Sequence, residues 1–157
     1  HAEMLLRTLG RERRGVGSME AGFEEVNGFL KQIGVAEDEV LLGDGSGLSR
    51  QTVVTPQAMA SLLRHMDQSE YGSLWSGLLP VAGQDGSLAE RLKGRATAGR
   101  VSAKTGSLAG VAALAGYATN RSNERIAFVL FANQFNPSKA DATEVLDHIV
   151  ELIASSR

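Results

Sequence analysis

Cysteine is absent from the 157 residues. That excludes a disulfide framework, a thiolate metal site and a cysteine nucleophile. It leaves the compartment open, because an exported protein need not contain cysteine. Histidine is nearly absent: His1 is terminal, and His65 and His148 both fall in helical patterns. No His-x-x-x-His or paired carboxylate–histidine spacing exists to hold a metal. A Ser-His-Asp hydrolase is equally poorly supplied, since no Gly-x-Ser-x-Gly elbow occurs and Gly45-Ser46-Gly47 lacks the flanking spacers. No basic surplus points to nucleic acid, with 16 Lys and Arg against 18 Asp and Glu, a formal net charge of -2. No run approaches the roughly 20 apolar residues that span a bilayer, and no secretory-leader pattern is visible. A helix start is missing too. The chain opens at His1 directly in a helical pattern without a capping Ser, Thr, Asp or Asn, the pattern expected of a segment of a longer polypeptide.

What is present suits one domain with a real core: 43% hydrophobic and 22% charged residues. Met4, Leu5, Leu6 and Leu9 form an apolar stripe that predicts a helix over residues 1–10, followed by a basic, Gly-rich loop from Arg11 to Gly17. Ser18 and Ala21 make half a capping box. Phe23, Val26, Phe29, Leu30 and Ile33 recur at helical spacing up to Gly34. Val40, Leu41 and Leu42 read as a short buried strand, and Asp44-Gly45-Ser46-Gly47 as a turn. Thr55-Pro56 opens a helix with a capping hydroxyl and a proline at the first position, burying Met59, Leu62, Leu63 and Met66. A short helix over residues 71–79 ends at Pro80. Residues 85–100 read as a long polar loop with one helical turn around Leu88 to Leu92.

The last third changes character. Val101 to Leu108, Val111 to Thr119 and Ile126 to Phe131 read as three strands, the second and third joined by the turn Asn120-Arg121-Ser122-Asn123. Ala140 to Ile153 closes the chain as an amphipathic helix, with Ser138 or Asp141 available to cap it. Helices first, then a meander, then a helix give an α+β fold: an antiparallel sheet covered by helices.

The most informative segment is Val101-Ser102-Ala103-Lys104-Thr105-Gly106-Ser107. Lys104 and Thr105 are neighbours on a strand and point to opposite faces. Gly106 lets backbone approach backbone. Such a segment suits an edge strand that pairs with an extended peptide. By itself a Lys-Thr-Gly tripeptide equally fits a solvated surface strand. It is not a phosphate-binding loop, which needs Gly directly before Lys where Ala103 stands; nor does the Gly43 to Gly47 stretch lead into a phosphate-facing helix, because Pro56 follows.

Lys104-Thr105-Gly106-Ser107 resembles the Lys-Thr-Gly element of penicillin-binding proteins and β-lactamases. The wider run from Ser102 to Gly110, continued by Leu114-Ala115-Gly116-Tyr117, is similar to class C penicillin-binding proteins in particular. So are Asp44-Gly45-Ser46-Gly47-Leu48-Ser49-Arg50 with Thr55-Pro56, the stretch Leu78-Leu79-Pro80-Val81-Ala82-Gly83-Gln84-Asp85-Gly86-Ser87-Leu88, and the opening Ala2 to Gly10. Four ordered matches cover nearly the whole chain. They identify residues 1–157 as the C-terminal part of one transpeptidase-like domain from a D-Ala-D-Ala carboxypeptidase/endopeptidase.

This resemblance implies a serine-type hydrolase that acts on peptidoglycan stem peptides through an acyl-enzyme in the periplasm or extracytoplasmic cell envelope. β-Lactam antibiotics are the implied inhibitors; no metal or organic cofactor and no nucleic acid is implied. Carried over by position, Lys104 supplies positive potential in the catalytic network. Thr105 binds the substrate's terminal carboxylate, Gly106 leaves room for its backbone, and the N–H of Ser107 is one of two oxyanion-hole donors. Arg50 contacts the peptide stem. The resemblance has a gap, however. No Ser-x-x-Lys occurs: the third residue after Ser46, Ser61, Ser73 and Ser102 is Ser49, Arg64, Ser76 and Thr105. No Ser-x-Asn occurs at a suitable place. The nucleophile is therefore expected upstream, in the remainder of the same polypeptide, and the fragment alone is expected to be inactive. The alternatives on this fold are a non-catalytic peptidoglycan-binding pseudoenzyme and a β-lactamase or esterase relative.

Overall fold

The computed structural model describes residues 1–135 and 139–157, the first three residues of the latter stretch by backbone alone. The chain forms two compact units, His1–Leu62 and Leu63–Arg157.

The first unit is built on a helical hairpin, α1 (Ala2–Arg14) and α2 (Met19–Gln32). α1 runs four residues beyond the expected end at residue 10. Gly10 does not terminate it but lies where the start of α2 passes close by. A Cβ there would stand 2.8 Å from the Gly22 nitrogen and 2.9 Å from the Ala21 Cβ. The true stop is Gly15, whose φ of 75° lets its N–H reach back to the Arg11 carbonyl. The basic residues read as loop, Arg11, Arg13 and Arg14, form the last turn, where cations favour the carbonyl end of the helix dipole. Ser18 caps α2 as expected, accepting from the Ala21 N–H at 3.1 Å.

Two short strands follow, β1 (Val40–Leu41) and β2 (Val53–Val54), paired antiparallel. The expectation of a buried strand at Val40 to Leu42 is corrected: Val40 is half-buried and Leu41 is exposed. β2 was not expected at all, because two residues carry too little alternation to register. α3 (Pro56–Gln68) starts where Thr55-Pro56 predicts, with Thr55 Oγ1 accepting from the Ala58 N–H at 3.0 Å. Its most buried residues are Ala58 and Leu63.

The second unit holds the core. α4 (Gly72–Gly77) precedes a three-stranded antiparallel sheet, β3 (Val101–Leu108), β4 (Val111–Thr119) and β5 (Arg125–Asn133), in the order β3-β4-β5. The meander follows from the short connections. α5 (Lys139–Ser155) packs chiefly on β4. Val101, Ala103, Ala112, Leu114, Ala118 and Phe128 meet Leu146, Val150 and Ala154 of α5 in one cluster. The backbone of Asp141 lies inside α5, past the position before its first residue; Ser138 falls outside the described residues. The long polar loop before β3 is better anchored than its composition implies. Leu88 and Leu92 enter the same cluster, and the buried Thr97 hydroxyl donates to the Leu92 carbonyl at 2.6 Å.

β4 lies so close to β3 that position 116 must be glycine. A Cβ there would stand 2.2 Å from the Ser102 carbonyl oxygen and 2.6 Å from the Ala103 Cα. Next to it, the buried Tyr117 ties the helical segment to the sheet. Its hydroxyl donates to the Leu63 carbonyl at 2.6 Å and accepts from the Trp75 indole N–H at 3.1 Å. The Arg125 guanidinium lies 4.1 Å over the ring. Burial above all raises the phenol pKa, so Tyr117 stays a neutral donor.

Candidate functional site

β3 carries four of the five expected site residues and is an edge strand of its sheet. Among the described residues its outer edge is paired at one end. Val81 bridges Ser102, the Ala82 N–H donates to the Val101 carbonyl at 2.9 Å, and the Ala103 N–H donates to the Pro80 carbonyl at 3.0 Å. Main-chain groups of alternate residues point the same way along a strand. Val101 and Ala103 therefore set the parity: Thr105 and Ser107 also turn their N–H and C=O groups to the outer edge. Among the described residues no strand pairs with β3 there. Lys104 to Ser107 thus offer an extended backbone edge of the kind that adds a peptide strand.

The side chains are set by the same alternation. Lys104 is exposed, and its ammonium donates to the outward Thr105 carbonyl at 2.6 Å. The positive charge thus stands over the open edge. Thr105 is half-buried on the opposite face, and its hydroxyl donates to Ser87 Oγ at 2.9 Å. Gly106 leaves its face bare. A Cβ there would come 3.1 Å from the Ala113 Cβ across the pair, so the site favours glycine for packing as well as access. Ser107 is exposed and contributes an outward N–H. An ammonium, a hydroxyl, a bare backbone segment and an outward N–H along one strand edge can together hold an extended chain bearing negative charge.

In the sequence Ser87 stands only within the stretch Leu78 to Leu88 that is similar to the family, and nothing local gives it a role. The signal that it neighbours Thr105 is tertiary: the stretch Pro80 to Ala82 bridges β3, and that bridge brings the following turn onto the strand.

Arg50 belongs to the first unit, exposed in the turn after the Asp44 to Ser49 loop. That loop is shaped by carboxylates. Asp44 accepts from Ser46 Oγ at 2.6 Å, from the N–H groups of Leu48 and Ser49 at 2.8 and 3.1 Å, and from Thr52 Oγ1 at 2.8 Å. The Ser46 hydroxyl, with help from the other donors, holds the Asp44 carboxyl well below the usual carboxylate range against the opposing effect of burial. Glu3 of α1 accepts from the N–H groups of Gly45 and Ser46 at 2.9 and 3.1 Å.

A family model described as the D-Ala-D-Ala carboxypeptidase 3 (S13) family matches residues 1–156. A D-alanyl-D-alanine carboxypeptidase of Actinomadura sp. is 41% identical over 138 residues, covering 85% of this chain and 26% of that protein. The D-alanyl-D-alanine carboxypeptidase DacB of Haemophilus influenzae is 38% identical over 121 residues, covering 76% of this chain and 25% of that protein. The crystal structure of penicillin binding protein 4 from Haemophilus influenzae, complexed with a β-lactam, superposes with a TM-score of 0.84 at 32% identity, covering 97% of this chain and 36% of that one. The chain therefore spans about a quarter of the length of these curated relatives.

Proposed function

The chain belongs to the D-Ala-D-Ala carboxypeptidase 3 (S13) family, and on that premise we propose that it forms the Lys-Thr-Gly wall of a serine-type D-Ala-D-Ala carboxypeptidase/endopeptidase acting on peptidoglycan stem peptides. The nucleophile then lies in the part of the polypeptide outside residues 1–157, and the reaction proceeds on the outer side of the cytoplasmic membrane. Among the described residues no helix is long and apolar enough to cross a membrane. The observation that carries the reading is the half-open edge of β3, where an ammonium, a hydroxyl and outward main-chain groups stand in sequence.

On this reading a peptide ending in D-Ala-D-Ala lies along β3 between the outward groups of Thr105 and Ser107. Its terminal carboxylate accepts from the Thr105 hydroxyl. The Lys104 ammonium stabilises negative charge near the reacting carbonyl. As the serine oxygen bonds to that carbonyl carbon, the oxyanion accepts from the Ser107 N–H and one further donor. Collapse expels D-Ala and leaves an acyl-enzyme, which water hydrolyses. β-Lactams enter the same way, except that their leaving group stays tethered. Arg50 contacts the stem peptide.

The test is labelling of the full-length protein with a fluorescent penicillin. Lys104→Ala is expected to abolish labelling; a variant labelled as fast as the unaltered protein would sink the reading. A second reading, a peptidoglycan-binding pseudoenzyme, is favoured by one observation, the lack of any Ser-x-x-Lys in these residues. It predicts that the full-length protein binds stem peptide yet never takes up penicillin covalently.

A further inference from the structure

The turn that carries Ser87 is held more firmly than a surface loop needs to be. Gly86 sits at a φ of 51°, where a side chain would be strained and where a Cβ would stand 3.1 Å from two carbons of the Pro80 ring. The Val81 N–H donates to Asp85 Oδ1 at 2.7 Å, and the Gly83 N–H donates to the Leu88 carbonyl at 2.9 Å. Leu88, next to Ser87, is fully buried in the core cluster. Ala82 and Ala103 then fasten the same segment to β3. Ser87 itself is exposed, yet its hydroxyl is delivered to within 2.9 Å of the Thr105 hydroxyl.

We propose that Ser87 is a positioning residue for the terminal carboxylate of the substrate, acting through the hydroxyl of Thr105. This rests on the reading above, in which Thr105 binds that carboxylate. Each hydroxyl has one proton to donate and two lone pairs to accept. One proton is used in the bond between the two oxygens, which leaves one for an arriving anion. Without ligand, Thr105 donates to Ser87. When a carboxylate arrives, both hydroxyls rotate: Ser87 donates to Thr105 Oγ1, and the Thr105 proton turns to the carboxylate. No proton changes its owner. A hydroxyl that accepts one hydrogen bond while donating another is a stronger donor.

The experiment measures acylation rate constants of the full-length protein with benzylpenicillin and with its methyl ester, which lacks the charged carboxylate. The acid-to-ester ratio isolates recognition of the carboxylate from folding and from chemistry at the serine. Ser87→Ala is expected to lower the ratio about fivefold to tenfold, the usual weight of one such hydrogen bond. Ser87→Thr, which keeps the hydroxyl, is expected to retain it. In a Thr105→Val background, Ser87→Ala is expected to change the ratio no further. An unchanged ratio in Ser87→Ala, or an equal drop in the Thr105→Val background, would overturn the proposal. A Thr105→Val protein with an unaltered ratio would instead overturn the carboxylate role of Thr105. Failure of the unaltered protein to be acylated at all would overturn the acyl-enzyme reading, and the Ser87 role with it.

Discussion

Two of the segments that resemble penicillin-binding proteins are shaped by different forces. The strand from Lys104 to Ser107 takes its place from packing. It continues Val101 and Ala103, both buried in a cluster with Leu114, Phe128 and Val150, and it lies against a neighbour that tolerates no side chain at position 116. The loop from Asp44 to Arg50 lies outside that cluster. Its backbone is folded around the carboxylates of Asp44 and Glu3, and its neighbours β1 and β2 expose Leu41 and Val53. A strand edge can be fixed from behind by apolar contacts because its own main-chain groups pair with the next strand. A loop without strand partners must instead satisfy its N–H groups with side chains. The two regions therefore break in different ways.

The largest effect belongs to the packed region. Gly116→Val forces a side chain into the Ser102 carbonyl and is expected to destabilise by more than about 3 kcal/mol. Denaturant unfolding of the full-length protein measures it, and a loss under about 1 kcal/mol would show that the β3–β4 approach is loose. Next comes Leu114→Ala, which empties a fully buried position and should cost about 2–5 kcal/mol. Helix-end chemistry ranks lower. Ser18→Ala removes the bond to the Ala21 N–H and should cost about 1 kcal/mol.

The smallest effect, and the one that most sharpens the contrast, depends on pH. The Asp44 carboxyl is held below its ordinary range in the folded loop. Such a group favours folding at every pH above its unfolded value, about 4, and that contribution fades as acid protonates it. The gap in melting temperature between the unaltered protein and Asp44→Asn is expected to hold steady from about pH 7 to about pH 5. It should then narrow below about pH 4. A gap that stays level below about pH 4 would mean that the loop does not depend on the carboxylate charge.

Much of this was legible in the sequence, for the same reason that the two regions differ. Periodic apolar patterns report on packing, so β3, β4, β5 and α5 were readable from their residues. So was the start of α3, because Thr55-Pro56 is a local signal. What escaped depended on partners distant in the chain. The first helix reads as ending at residue 10, whereas Gly10 lies against Gly22 and the helix runs on to Arg14. Val40 and Leu41 read as buried until the strand they pair with turns out to be the two-residue β2. At the candidate site, the motif Lys104-Thr105-Gly106-Ser107 was visible at once. The contact of Thr105 with Ser87 was not, because it depends on the Val81–Ser102 bridge that folds residues 80–88 onto the strand.

The proposed function requires that residues 1–157 supply a wall of the site while the attacking serine lies elsewhere in the polypeptide. The measurement is the intact mass of the full-length protein after incubation with benzylpenicillin, followed by peptide mapping of the adduct. A single penicillin per chain is expected, attached to a serine outside residues 1–157. An adduct on a serine within these residues, or a full-length protein that takes up none, would contradict it.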